Sequence, residues 1–399
     1  MKRRISILSY TASGNALGRA WVFAELLRRD FDVELVVAAR PTDAVWAPLR
    51  DQTSAERRWF VRTWPGFHWQ ASRIASELVT GDLVIAVKPR VHTFGLALAA
   101  KRVRPRPVLL DIDDWEVGFH SPWLDALRAP VSWVSVASNL HTRWYFERTA
   151  AADAITVSSS YLQQHFGGVW LPHARPGDDV GAASVARSAR PLVMFVGTPR
   201  PHKGLQDLCA AFQLVRAPEA QLRIVGARGD ATLERFAARD PRISLEASVP
   251  LQEMPKLLAT AWVVAIPQRD EALSRAQLPA KLMDAMALGK AVVATDVGDM
   301  PHWLSGDCGV VVPARDPPAL AGAIEALIAD PERLERLGRR ARQRFHELGS
   351  YEAVRPRLLG LVDDLLAGRA PARSEPAFAA QVDEVQSLTP ELSANDHSA

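Results

Sequence analysis

Three segments hold residues whose types and spacing suit chemistry on an anionic or hydroxyl-rich ligand. In VMFVGTPRPHKGLQDL an apolar run ends at Val196, Gly197 turns the chain, and Arg200, His202, Lys203 and Gly204 come just before a helical pattern. Cations at a helix N-terminus add their charge to unpaired backbone N–H groups and the helix dipole, which makes an anion site. The plainer alternative is a solvated loop whose Lys and Arg face water. In IPQRDEALSRAQLPAKLMDAMALGKAVVATD a polar loop follows the run ending at Ile266, and Pro279 and Gly289 mark the start and end of a helix. Lys281 and Asp284 share one face of that otherwise apolar helix, and a carboxylate so placed needs a partner. Either the two pair at the surface, worth about 0.2–0.5 kcal/mol, or Asp284 accepts hydrogen bonds from a ribose diol while Lys281 and the N–H groups of Ser274 to Leu278 meet phosphate.

The third set lies in the first half of the chain. Gly14 and Gly18 follow the opening apolar run and let backbone N–H groups approach a ligand, although GNALG lacks the full dinucleotide fingerprint and a simple turn into a helix is as good a reading. Lys88, Arg90 and His92 follow the run ending at Val87. Asp111, Asp113 and Asp114 follow the next one, placed to bind ligand hydroxyls or to position a basic neighbour. Trp115, Trp123, Trp133, Trp144 and Trp170 also crowd this half; aromatic faces suit sugar rings or a lipid interface, but such residues are more often core.

These loops need strands to end on and helices to begin. Apolar runs at Ile5 to Tyr10, Val33 to Ala38, Leu83 to Val87, Val108 to Ile112 and Ala154 to Val157 alternate with helical periodicity, which predicts a parallel sheet with helical crossovers. A helix is expected around Trp133 to Ala151. The Pro-, Gly- and Ser-rich stretch LPHARPGDDVGAASVARSAR reads as a linker. A second cycle follows at Leu192 to Val196, Gln221 to Val225, Ile243 to Leu245, Val263 to Ile266 and Ala291 to Thr295, and the pattern from Pro318 to Leu366 is helical throughout. The expected organisation is a domain over 1–178, a second over 190–350, a helix over 351–368 and a disordered tail over 369–399.

The chain's 399 residues, 48% hydrophobic and 23% charged, suffice for two cores. A formal charge of +3, with Lys and Arg scattered among acids, disfavours nucleic acid as a partner. Two cysteines, Cys209 and Cys308, are too few for a disulfide framework and point to a reducing compartment. The N-terminus does not read as a signal peptide and no apolar run is long enough to span a bilayer, so a cytoplasmic location is expected. Peripheral contact of the N-terminal domain with a membrane stays open.

Taken together, VG followed by KG, PAKLMDAMALGKAVVATDVGDMP and GVVVPARDPPALAGAI resemble, in order and spacing, the donor domain of family-4 glycosyltransferases (glycosyl transferases group 1) with the GT-B fold. The resemblance covers roughly Lys2 to Leu366 and is strongest from Val193 to Ala341. It implies an α/β fold of two Rossmann-like, doubly wound domains facing across a cleft, with a C-terminal helix crossing back to the first. It also implies a nucleotide-sugar donor and a glycan, glycolipid or small-molecule acceptor, transfer with retention, and neither cofactor nor metal. By the same resemblance Gly14, Gly197, Arg200, Lys203, Gly226, Ser274, Arg275, Gln277, Leu278, Lys281 and Asp284 bind the donor, with Lys203, Arg200 and Asp284 central to catalysis. Lys88, Arg90, His92, Asp113 and Asp114 fall on the acceptor side.

Several positions depart from the family pattern. Many members carry Arg directly after the glycine that is Gly197 here, where this chain has Thr198, so Arg200 is the candidate substitute. The family's paired glutamates are Ala276 and Asp284. Pro279, Lys281 and Leu282 fit a subgroup with a Pro-x-Lys-Leu helix start. Many relatives place a His just after the strand that ends here at Val87; this chain offers Lys88 and Arg90 instead, with His92 further on. These departures keep two other readings alive, a non-catalytic sugar-nucleotide-binding protein and a sugar-nucleotide epimerase. Neither half carries G-x-G-x-x-G after its first strand, which disfavours an oxidoreductase.

Overall fold

A computed structural model of the chain describes residues 2–12, 15–39, 43, 45, 56–60, 67–116, 139–177, 186–250 and 253–370. The first parallel sheet contains β1 (Arg4–Ser9), β2 (Asp32–Ala38), β3 (Glu56–Phe60), β4 (Leu83–Val87), β5 (Val108–Ile112), β6 (Ala154–Val157) and β7 (Val169–Trp170), in the order β3-β2-β1-β4-β5-β6-β7. The second contains β8 (Leu192–Val196), β9 (Gln221–Val225), β10 (Ile243–Glu246), β11 (Val263–Ile266), β12 (Ala291–Thr295) and β13 (Val310–Val312), in the order β10-β9-β8-β11-β12-β13. The apolar runs become strands because β4, β5, β8, β11 and β12 are buried from end to end, as central strands of a parallel sheet covered on both faces must be.

Each sheet has two apolar layers. Over the first, one layer packs the helix Asn15–Leu27 against β1 and β2, and the other packs Phe67–Leu78 and Leu96–Val103 against β4 and β5. Over the second, one layer contains Leu205–Leu214 and Pro317–Ile328 and the other contains Ala280–Ala287. The last helix, Tyr351–Leu366, leaves the second unit and buries Val354, Leu358, Leu361, Val362 and Leu365 in the core built on Ile5 and Leu17 of the first.

In both sheets the strand order reverses beside the first strand, between β1 and β4 and between β8 and β11. Crevices at such switch points, beyond the carboxyl ends of the strands, are where open α/β sheets take ligands. The loops beyond Ser9, Val87, Val196 and Ile266 are therefore the ones to search.

The structure also differs from the sequence reading. Three edge strands fall outside the runs read as strands: β3, whose sequence ERRWF is too charged for an apolar run, and the very short β7 and β13. The stretch from Pro318 to Leu366, helical throughout in pattern, is divided into three helices, because Asp316, Asp330 and Ser350 each accept a hydrogen bond from a backbone N–H of the next first turn; the last, Tyr351–Leu366, falls where a separate helix over 351–368 is expected. Around residue 140 the described helix is Asn139–Phe146. Trp115 packs edge-on against Phe146 and Tyr161, Trp170 is buried, and Trp144 is exposed; Trp123, Trp133 and the tail over 371–399 lie outside the described residues. Among the described residues no helix is long and apolar enough to cross a membrane.

Leu358 is fully buried where the last helix meets the first core. Leu358→Ala should lower the unfolding free energy by about 2–5 kcal/mol, read as a lower urea midpoint monitored on the first unit.

Candidate active site

The second unit supplies an unusual pair of cations. Gly204, after the turn Pro201–Lys203, has a φ of +64°, and a Cβ there would lie 1.8 Å from the Pro267 carbonyl oxygen. Only glycine lets the loop after β8 lie this close to the loop after β11. Ser274 Oγ donates to the His202 carbonyl at 3.2 Å and the Arg269 N–H donates to the same carbonyl at 2.8 Å, which pins the two loops together. In this frame Lys203 Nζ donates to the Thr198 carbonyl at 2.8 Å, and Lys281 Nζ rests 3.4 Å from the centre of the Phe195 ring. Both ammonium groups converge on Gly197: a Cβ built there would be 3.4 Å from Lys281 Nζ and 3.7 Å from Lys203 Nζ.

Neither lysine forms an ion pair among the described residues. Burial, and next Arg200, lowers the pKa of Lys203; burial, and next Lys203, holds Lys281 well below the ordinary lysine value. Two crowded, desolvated amines are costly unless an anion joins them, so the arrangement is built for an anionic ligand.

The first unit faces them with charges that are already matched. Lys88, at φ +69° just past β4, is buried with Nζ 2.7 Å from Asp114, 2.6 Å from Glu116 and 3.2 Å from Asp113. Arg90 also pairs with Glu116. Arg19 grips Asp111 at both oxygens, 3.0 Å and 2.9 Å, and Thr156 donates to the same carboxylate. Burial would raise the Glu116 pKa, but Lys88 and Arg90 outweigh it and hold it at about 2. Burial raises Asp113 to about 7, aided by Asp114 and Asp111 and opposed by Lys88 and Arg19. His92 is buried with its ring edge-on to Phe67, 4.6 Å between centres.

Between the units lies a cavity of about 520 Å³. It gathers Gly197, Lys203, Gln277, Leu278 and Lys281 from the donor-side candidates and Asp113 and Asp114 from the acceptor-side ones. Gln277 spans it, donating to Asp114 at 2.9 Å. The other candidates lie outside its lining. Ser274 holds the loop, Arg275 pairs with Asp270 at 2.5 Å, Arg200 is exposed, and Gly226 sits behind Gly197 with φ +95°. Lys88, Arg90 and His92 lie behind the first-unit wall, and Gly14 lies outside the described residues. Asp284 does not pair with Lys281; it accepts from Arg175 at 2.6 Å.

Arg19, Trp21, His173 and Arg175 are among the cavity residues that sequence reasoning misses. Burial, then Arg19, Arg175 and Lys88, holds the His173 imidazole well below its ordinary pKa, so it is neutral. A signal for the last two is present in LPHARPG, where a His and an Arg sit inside a segment that must pass between two domains.

Residues 190–330 match the family described as glycosyl transferases group 1. The chain is 32% identical over 205 residues to alpha-maltose-1-phosphate synthase of Mycolicibacterium smegmatis, covering 47% of this chain and 51% of that protein. It is 29% identical over 248 residues to the GDP-mannose-dependent alpha-(1-6)-phosphatidylinositol monomannoside mannosyltransferase of the same organism, covering 56% and 64%. The chain thus spans about half the length of the curated relatives it matches. In structure it is similar to sucrose-phosphate synthase from Thermosynechococcus elongatus, with TM-score 0.68 and 18% identity over 92% of this chain and 100% of that one. It is likewise similar to Anabaena HepE in complex with UDP-glucose, with TM-score 0.69 and 16% identity over 91% and 100%. The fold is GT-B.

A carboxylate whose pKa falls on folding adds stability above its unfolded value, and that stability disappears as pH falls through the folded value. For Glu116 the window runs from 4.5 down to about 2. Glu116→Gln should therefore cost on the order of 3 kcal/mol at neutral pH, with the gap to the parent closing across that window in pH-dependent denaturant titrations.

Proposed function

We propose that the protein is a glycosyltransferase that moves a sugar from a nucleotide-sugar donor to a hydroxyl of a glycan, glycolipid or small-molecule acceptor, with retention of configuration. The observation that carries this reading is the pair Lys203 and Lys281, which form no ion pair among the described residues and converge on Gly197 at the switch point of the second sheet. The donor diphosphate would lie against Gly197, with both ammonium groups on it and Arg200 adding charge from the rim. Gly197 keeps backbone close to the ligand with Gly226 packed behind it, Gln277 and Leu278 form the wall, and Ser274 and Arg275 hold the loop in shape. Asp284, oriented by Arg175, is assigned to the ribose diol. Asp113 and Asp114 face the acceptor, while Lys88, Arg90 and His92 support that wall from behind.

In the reaction the bond between the anomeric carbon and the β-phosphate oxygen breaks with its electron pair on the phosphate, and the acceptor oxygen bonds to the carbon. Charge grows on the leaving diphosphate as the sugar becomes oxocarbenium-like, so fixed cations in a desolvated cleft stabilise the transition state more than the ground state. This reading needs no metal: Asp111 and Asp113, two acids spaced as in a metal-binding D-x-D, face Arg19 and Lys88. A nucleotide-sugar substrate implies a cytoplasmic site of action, with any membrane contact peripheral.

The test is thermal stabilisation and nucleoside diphosphate release with UDP-glucose and GDP-mannose, comparing the parent with Lys203→Ala and Lys281→Met. One donor should stabilise the parent and be turned over, with kcat/KM falling roughly 10²- to 10³-fold in each variant. Stabilisation without release would indicate a binding protein, and no response to any nucleotide sugar would overturn the site. The anomeric proton of the product reads the stereochemistry.

A further inference from the structure

The loop that follows β12 reaches out of the second unit and takes hold of the first. Gly298 in that loop has a φ of +58°, and a Cβ there would lie 2.9 Å from the Arg275 carbonyl oxygen, so the loop packs directly on the segment whose Gln277 and Leu278 line the cavity. The next residue, Asp299, is 3% exposed and accepts two hydrogen bonds from the first unit: the Ser160 N–H donates to Oδ2 at 3.0 Å, and the Ser160 hydroxyl donates to Oδ1. Ser159, which caps the same helix, Ser160–Phe166, by accepting from the Leu162 N–H, donates its hydroxyl to the Ala276 carbonyl at 2.8 Å. Two consecutive serines thus bind two loops of the second unit that already rest on each other. Burial raises the Asp299 pKa to about 6 against the pull of the Ser160 bonds. The interior disfavours this charge, so the residue contributes through the geometry of the contact rather than through stability.

We propose that Asp299 is a positioning residue for sugar transfer: by gripping Ser160 it clamps the donor-side loop Ser274 to Leu278 onto the first-unit wall, so that donor and acceptor meet at a fixed distance. The inference rests on the transferase reading and gives Asp299 no contact with either substrate, since it lies outside the cavity lining. Gln277 of the clamped loop donates to Asp114 across the cavity at 2.9 Å. Loosening the grip on Ser160 lets that loop drift from the wall, and a misplacement of about 1 Å between reacting groups can lower a rate by about 100-fold. The nucleoside diphosphate, by contrast, is assigned to Gly197, Lys203 and Lys281, all on the second unit. Loss of the clamp therefore falls on kcat and spares nucleotide affinity.

The test compares the parent with Asp299→Ala, Asp299→Asn and Ser160→Ala. With UDP-glucose or GDP-mannose, whichever the parent turns over, Asp299→Ala should lower kcat for nucleoside diphosphate release roughly 10-fold, while the Kd for the matching nucleoside diphosphate stays within about threefold. Asp299→Asn, whose amide oxygen can accept both Ser160 bonds without the buried charge, should recover most of the loss. Ser160→Ala cuts the clamp from the other unit and should lower kcat in the same direction; the double variant should lose less than the product of the two, because both break one contact. In small-angle X-ray scattering Asp299→Ala should have a larger radius of gyration than the parent, which a purely local loss of stability does not produce. A kcat for Asp299→Ala within about threefold of the parent, or an equal loss of nucleotide affinity and kcat, would overturn the proposal while leaving the transferase standing. Failure of the parent to turn over any donor would remove the transferase reading, and an unchanged radius of gyration would then remove the clamp as well.

Discussion

Among the described residues the outgoing and returning segments of the chain pair with each other between the two units, and the cleft's shape follows from that pairing. The chain leaves the first sheet through Leu171 to Pro176, and it returns at Gly349 to Tyr351; these segments pair, with the Arg175 N–H donating to the Gly349 carbonyl at 3.1 Å and the Tyr351 N–H donating to the Arg175 carbonyl at 2.9 Å. Arg175 then reaches out of this pairing to Asp284 on the helix Ala280–Ala287 that also presents Lys281. A single residue thus ties the crossing, the returning helix and the donor-side helix together. Arg19 closes the other side by donating to the Leu171 and Pro172 carbonyls while it holds Asp111. An ion pair such as Arg175 with Asp284, between partly exposed groups, contributes modestly to stability, and its value here lies in geometry.

The cleft is electrostatically lopsided. On the first-unit wall cations and carboxylates neutralise one another in a buried network, which resists rearrangement because each member depends on the others. On the second-unit wall Lys203 and Lys281 form no ion pair among the described residues, and burial lowers both pKa values. The protein therefore carries a standing desolvation penalty on one side that an anionic ligand relieves, and a pre-set wall on the other against which a second substrate can be held. Further contacts across the gap, from Ser159 Oγ to the Ala276 carbonyl at 2.8 Å and from the Ser160 N–H to Asp299 at 3.0 Å, keep the two walls facing. Ala276, where the resemblance expects a glutamate, instead contributes its backbone to this join.

Much of the fold is legible in the sequence because parallel strands buried on both faces leave continuous apolar runs, and the central strands fall where those runs do. The misses are physical. Edge strands such as Glu56–Phe60 need no apolar run, and the helix restart at Asp330 is set by a cap that local periodicity does not show. The donor-side lysines can be read because glycines and prolines bracket them in loops that follow strands. The partner of Asp284 cannot be read: Arg175 is 109 residues away and meets it only when two domains face each other. For the same reason Lys88 has the sequence signature of a ligand-facing cation, whereas the fold commits it to three acids from a loop beyond the next strand. His173, in a stretch whose composition is that of a bare linker, forms part of the cavity wall.

The central claim is that Lys203 and Lys281 are held with lowered pKa values awaiting an anion. Calorimetric titration of UDP over a series of pH values up to the ordinary lysine pKa, in two buffers of different ionisation enthalpy, tests it most directly, because a bound anion raises both pKa values and draws protons onto the lysines. The account predicts net proton uptake on binding, reduced when Lys281 is replaced by methionine. UDP binding without proton uptake would contradict it.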